Sequence, residues 1–200
     1  MEKIIVGRLL RSNTRACVVG CPPAQQFPAF GSLVSIPLSE TEVVYGLIGD
    51  IHIDDDGLVR QLATAPSVDE AVIQDNRLNR NVPVEMTVLF VGSKTENRIS
   101  HLLPARPPLS LDCMYLCSTQ ELCEFTAGSR FGYLRHILDV QDVPAADLLA
   151  AHLAQAGAAQ RAQGNSAWFG QAAARIITQL RDDYPRLMPI LETLADVENA

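Results

Sequence analysis

The stretch VVYGLIGDIHI over residues 43–53 limits what this chain can fold into more than any other. Its odd positions, Val43, Tyr45, Leu47, Gly49, Ile51 and Ile53, are all apolar or glycine, and the even positions turn polar at Asp50 and His52. That period of two predicts a half-buried strand. Extended residues over this span reach roughly 36 Å, too far for a flat strand in a small domain. Gly46 and Gly49 are the points where such a strand can bend and coil, as closing a sheet into a small barrel requires. The expected architecture is therefore a closed β-barrel.

The surrounding segments supply the other strands. Residues 4–10 and 14–20 read as a hairpin turning at Arg11-Ser12-Asn13. Pro22, Pro23 and Pro28 make residues 21–31 a loop, and Pro37 suits the end of a short strand over 33–38. Ser67 as N-cap with Glu70 at N3 predicts a short helix through 78, stopped by Asn81 and Pro83. Residues 82–91 form a strand, 92–97 a loop, 102–111 a proline-rich segment and 112–117 a last strand. Ser118 and Glu121 repeat the capping pattern for a helix through 125. From Arg130 the period becomes 3.6, with helices over 131–138, 145–163 (Pro144 at N1), 166–181, and a final one from Pro189 at N1 to 197. The fold class is α+β: a small closed barrel over 1–126, then a helical region over 127–200.

Composition narrows the setting. With 48% hydrophobic residues in 200, a core can be buried and disorder is not expected. The sequence has no leader pattern and no apolar run near the ~20 residues of a membrane span, so a cytoplasmic chain without membrane contact is expected. Five cysteines, an odd number, point to buried reduced thiols rather than a disulfide framework. Residues 1–126 hold 10 Lys/Arg against 15 Asp/Glu and residues 127–200 hold 6 against 8, which makes −5 and −2 of the net −7. Neither part has the cationic balance of a barrel that tracks phosphates, so nucleic acid is not the expected partner.

Four places in the sequence carry residues suited to chemistry. Asp54-Asp55-Asp56-Gly57 resembles the start of a calcium loop, but Gly57 comes too early and position twelve is Ala65, so it reads as a solvated turn. Gly92-Ser93-Lys94-Thr95 lacks the upstream glycine and the Gly-Lys order of a phosphate loop. Cys17/Cys21 and Cys113/Cys117 sit four apart on strands, where i and i+4 lie about 13 Å apart, too far for either pair to chelate one ion; Cys21 at its strand end leaves a cross-strand combination open, and buried thiols are the expected reading. His52, His101, His136 and His152 have no metal-ligand spacing, and His152 on an apolar helix face reads as a packing residue. With no grouped nucleophile, base and orienting residue, the chain is expected to be no enzyme and to need no cofactor or metal.

The order of elements resembles a known family. VGRLLRSNTRACVVG, the segment Gly31-Ser32-Leu33-Val34-Ser35-Ile36 and the strand over 43–53 are similar to the opening of the HAS-barrel, the small barrel of HerA-like DNA-translocating ATPases and ATP synthase ring subunits. VEMTVLFVG over 84–92, Pro104-Ala105-Arg106-Pro107-Pro108, Met114-Tyr115-Leu116 and Glu121-Leu122 resemble its second half. The resemblance covers residues 3–125. It implies a non-catalytic barrel serving ring assembly and partner docking. The ATPase core that follows in the family is replaced here by about 70 helical residues without Walker motifs, so ATP hydrolysis does not carry over. The expected function is that of a structural adaptor, homo-oligomeric or docked on a protein partner such as a separately encoded ATPase. The alternative is a barrel that binds single-stranded nucleic acid through aromatic platforms. The expected interface lies on the tail: Trp168, Phe169, Ile176, Ile177 and Leu180 make one stripe, and Leu187, Met188 and Leu191 belong to a second.

Overall fold

The computed structural model describes residues 5–22, 27–55, 57–79, 82–96, 98–128 and 130–198. Ile4, Pro23, Asp56, Asn81 and Asn97, which entered the expectations above, lie outside the described residues. Asn13 turns β1 (Ile5–Ser12) into β2 (Ala16–Cys21). Its side-chain oxygen accepts the N–H groups of Arg15 and Ala16 at 2.7 and 3.0 Å, the local mimicry of a turn that makes Asn common there. Then come β3 (Leu33–Pro37), β4 (Glu42–Ile53), β5 (Val84–Thr95), β6 (Arg98–Ser100) and β7 (Cys113–Leu116). The order runs β2-β1-β7-β3-β4-β5, and β5 pairs back onto β2, so six antiparallel strands close a barrel with β6 attached to β5 outside the ring.

Closure takes place where the glycines of β4 allow it. The β4–β5 ladder shifts register between Tyr45 and Gly46 and again between Ile48 and Asp50, across Gly49. Such bulges sharpen coiling. A Cβ on Gly46 would lie 2.4 Å from Val88 Cγ1, and one on Gly7 would lie 2.3 Å from the Gly20 carbonyl oxygen, so no side chain fits at either crossing.

β4 departs from the half-buried strand that its period predicts. Residues from Val44 to Gly49 are buried on both faces. Val44 and Ile48 point into the barrel with Met86, Phe90 and Met114. Tyr45 and Leu47 point outward into a second core built with Phe125, Tyr133, Leu148 and Trp168. A helical layer covers that outer face: α3 (Thr119–Thr126), α4 (Leu134–Leu138), α5 (Ala145–Ala162), α6 (Trp168–Leu180) and α7 (Tyr184–Glu198). Barrel and tail thus share one core across the joint. No helix among the described residues is long and apolar enough to cross a membrane.

Other departures have local causes. Between β4 and β5 the chain makes α1 (Leu58–Thr64), which the sequence pattern did not announce, and α2 (Glu70–Leu78). The N-cap of α2 is Asp69, not Ser67: the Asp69 carboxylate accepts the Ala71 N–H at 2.9 Å. β5 runs on to Thr95 through the expected loop, because β6 pairs Lys94 with Ile99 beside it. Pro144 is the N-cap of α5 rather than N1. Pro189 lies inside α7 rather than at its start. Pro185 opens that helix, and the interior proline persists with Leu187, Ile190 and Leu194 of the same helix held in the core. The capping box at Ser118 and Glu121 forms as expected, with bonds of 2.9 and 3.2 Å.

Candidate functional site

The polar side chains of this protein converge at the joint between barrel and tail. Arg130, Phe131 and Gly132 lead into α4 and bring Tyr133 under His101, whose ring packs edge-on against Phe125 and Tyr133 with centroids 5.0 and 5.2 Å away. A Cβ at Gly132 would come within 3.3 Å of the imidazole and press on the ring. His101 Nε2 donates to the Phe125 carbonyl at 3.1 Å. The backbone carbonyl of His101 in turn accepts from Arg135 Nη2 at 2.5 Å and from His136 Nε2 at 2.9 Å, which fills both its lone pairs. Burial lowers the pKa of His101 and of His136, and the neighbouring Arg135 guanidinium pushes both the same way.

Deeper in the joint, His152 donates from Nδ1 to the Gly31 carbonyl and accepts at Nε2 from the Tyr133 hydroxyl, each at 3.2 Å. Burial brings the pKa of His152 down to about 4 and raises that of Tyr133. Gln155 fastens the same helix to the loop before β3 by donating to the Phe30 carbonyl at 3.1 Å. Gln160 Nε2 and Trp168 Nε1 hold the end of α3, donating to the Cys123 carbonyl at 3.0 Å and the Thr126 carbonyl at 2.9 Å. These carbonyls are ones that a helix C-terminus leaves without partners of its own. Three of the four histidines are therefore occupied in fastening the tail. The fourth, His52, is exposed and pairs with Asp54 at 2.9 Å.

One open feature adjoins this network. A cleft of about 260 Å³ lies between β5 and α4, lined by Arg15, Leu89, Phe90, Leu103, Arg135, His136 and Asp139.

The remaining candidates fall elsewhere. Cys17 and Cys21 are buried on the inward face of β2, and burial pushes the Cys17 thiol up to about 12; Cys113, Cys117 and Cys123 are half-buried, and none of the five is in a disulfide. Lys94 belongs to the β5–β6 ladder, not to a phosphate loop. Asp55 accepts the Gly57 N–H at 2.8 Å and pairs with Arg60 at 2.7 Å, which accounts for the acidic turn within the chain itself. Among the described residues, no group of three or more His, Cys, Asp or Glu gathers where a metal ion could be held.

The tail residues expected at an interface face inward for the most part. Trp168, Ile176, Leu180 and Leu187 are buried in the outer core, and Phe169 and Leu191 pack against it. Met188 is half-buried, and Ile177 keeps 43% of its surface in water. The covering of both stripes comes from α5, the barrel wall and each other.

An apolar surface without such covering occurs at α1 and α2 instead. Neither helix buries a residue, and Leu58, Val72 and Leu78 are 49%, 46% and 60% exposed. Val59, Leu62 and Ile73 line a shallow groove between the two helices. The pair projects from the end of the β4–β5 ladder, which closes at Ile53 and Val84. No local spacing in the sequence distinguishes these six residues from an ordinary core stripe.

Comparison with known protein families gives no match to this chain, and comparison with curated proteins gives none either.

Proposed function

We propose that this chain is a non-catalytic docking module: a free-standing barrel of the HAS type that assembles with copies of itself and docks on a protein partner such as a separately encoded HerA-like ATPase. The observation that carries the reading is the α1–α2 arm, which extends from the barrel and leaves three large apolar side chains in water. Helices of 7 and 9 residues are shorter than the ~12–15 needed for an isolated helix to hold in water. Each side chain is about half exposed, so burying the remainder against a second surface is worth about 1 kcal/mol each, which helps to order the arm and to hold a partner. Polar residues that would serve catalysis at the joint are instead engaged with backbone carbonyls, which favours a structural module over an enzyme.

The reading is tested by replacing Leu58, Val72 and Leu78 together with Glu. The exposed positions leave the barrel intact, so the fold and the cooperative unfolding should persist while self-association is lost. Unchanged association in this variant would move the interface off the arm.

A further inference from the structure

We infer that the cleft between β5 and α4 is a binding site for an oxyanion, a carboxylate or phosphate carried on a short apolar stem. The geometry has three parts. Two guanidinium groups, Arg15 from the β1–β2 turn and Arg135 from α4, line the same cleft of about 260 Å³. Neither makes an ion pair with a carboxylate among the described residues, in a chain where Asp and Glu outnumber Lys and Arg 23 to 16. Acidic residues are abundant in this protein, yet even Asp139, which lines the same cleft, forms no ion pair with either arginine among the described residues.

The second part is preorganisation. Arg135 and His136 are adjacent residues that both donate to the carbonyl oxygen of His101, at 2.5 and 2.9 Å. One carbonyl with two lone pairs fixes both side chains at the cleft wall. A guanidinium has five N–H donors, and the shared carbonyl engages one Nη2 group, so donors remain for a planar oxyanion in the bidentate manner that suits carboxylate and phosphate. Positioned donors of this kind bind more tightly than flexible ones because less side-chain freedom is lost.

The third part is selectivity. Of the apolar lining only the half-buried Leu103 is open to a ligand, because Leu89 is nearly buried and Phe90 points into the barrel; Asp139 belongs to the same lining. A ligand with a short apolar stem covers the exposed part of Leu103, which a bare inorganic ion leaves wet. The Asp139 carboxylate opposes a second negative charge and so favours a ligand with a single anionic head.

The test is a nuclear magnetic resonance titration of the whole chain at constant ionic strength. Its probes are inorganic phosphate, butyrate, and a short apolar peptide with a free C-terminus, with its C-terminal amide as control. The expected result is saturable movement of the Arg135 Nε–Hε and His136 ring signals with an affinity in the millimolar range or tighter, on the order of 1 mM. Arg15→Gln and Arg135→Gln should each weaken it about tenfold. Arg15 is exposed, so its variant keeps the experiment decisive if loss of Arg135 disturbs the joint. Movement with the free carboxyl peptide and butyrate but not the amide assigns a carboxylate; movement with inorganic phosphate alone overturns the apolar stem. No saturable movement with any probe, or the parent's affinity retained in both variants, overturns the site.

Discussion

Tyr133 donates its hydroxyl to His152 Nε2 at 3.2 Å in a place where neither ring touches water. The Gly31 carbonyl accepts a hydrogen bond from Nδ1–H, so the imidazole is held neutral with both nitrogens in use. A neutral buried histidine makes the stability of this protein depend on pH. In the unfolded chain His152 gains a proton near its ordinary value of 6.5, and in the fold not until about 4. Between those values the unfolded state binds more protons, so stability falls as pH falls from 6.5 to 4 and levels below that. The separation corresponds to roughly 3 kcal/mol, and His101 and His136, lowered by burial, add to it with the same sign.

His152→Phe removes that term. At pH 7 the variant should be less stable by about 1–3 kcal/mol, because the Tyr133 hydroxyl and the Gly31 carbonyl are left buried without partners. Between pH 6.5 and 4 its stability should change less than that of the parent. Urea unfolding followed by the fluorescence of Trp168, the only tryptophan, measures both. Parallel slopes in parent and variant would contradict the assignment.

Glycine substitutions separate the barrel crossings from open sites. Gly46→Ala puts a methyl 2.4 Å from Val88 Cγ1 and 3.1 Å from the Leu89 carbonyl oxygen, and should cost about 1–3 kcal/mol or more as the bulge is forced apart. Gly170→Ala, at a helical position with nothing within 4 Å, should stabilise by up to about 1 kcal/mol. Denaturant midpoints of the two variants should move in opposite directions.

Thiol reactivity should follow burial. Cys17, held near 12 and buried, should resist a disulfide reagent at pH 8 in the folded protein, while the half-buried Cys113, Cys117 and Cys123 react first. Peptide mapping after partial labelling gives the order, and early labelling of Cys17 would show that the barrel opens.

Residues 43–53 announced the barrel through Gly46 and Gly49, which lie at the register shifts of the ladder and are a local signal; the odd positions that the period picked out face the outer core, and Val44 and Ile48 fill the barrel. The same stretch concealed its second burial. Tyr45 and Leu47 are covered by a tail that begins about 80 residues later, and no pattern within the strand encodes that contact. Ser118 and Glu121 were readable because a capping box is complete within four residues. At α2 the Ser67 pattern pointed to the wrong cap, since Asp69 offers a charged acceptor nearer the helix. The tail stripes were legible as apolar faces, but their partner was not: an amphipathic stripe has the same spacing whether it meets its own barrel or another chain. Arg15 and Arg135 are 120 positions apart, and only the fold sets them in one cleft.

The claim that the arm is an assembly surface is tested most directly by sedimentation equilibrium on the intact chain over a range of concentrations, beside the variant carrying Glu at Leu58, Val72 and Leu78. The parent is expected to exceed its 21.8 kDa monomer mass at tens of micromolar, on the order of 10⁻⁵ M, and the variant to stay monomeric with the same unfolding midpoint. A well-folded parent that remains at 21.8 kDa over that range, as the variant does, would contradict it.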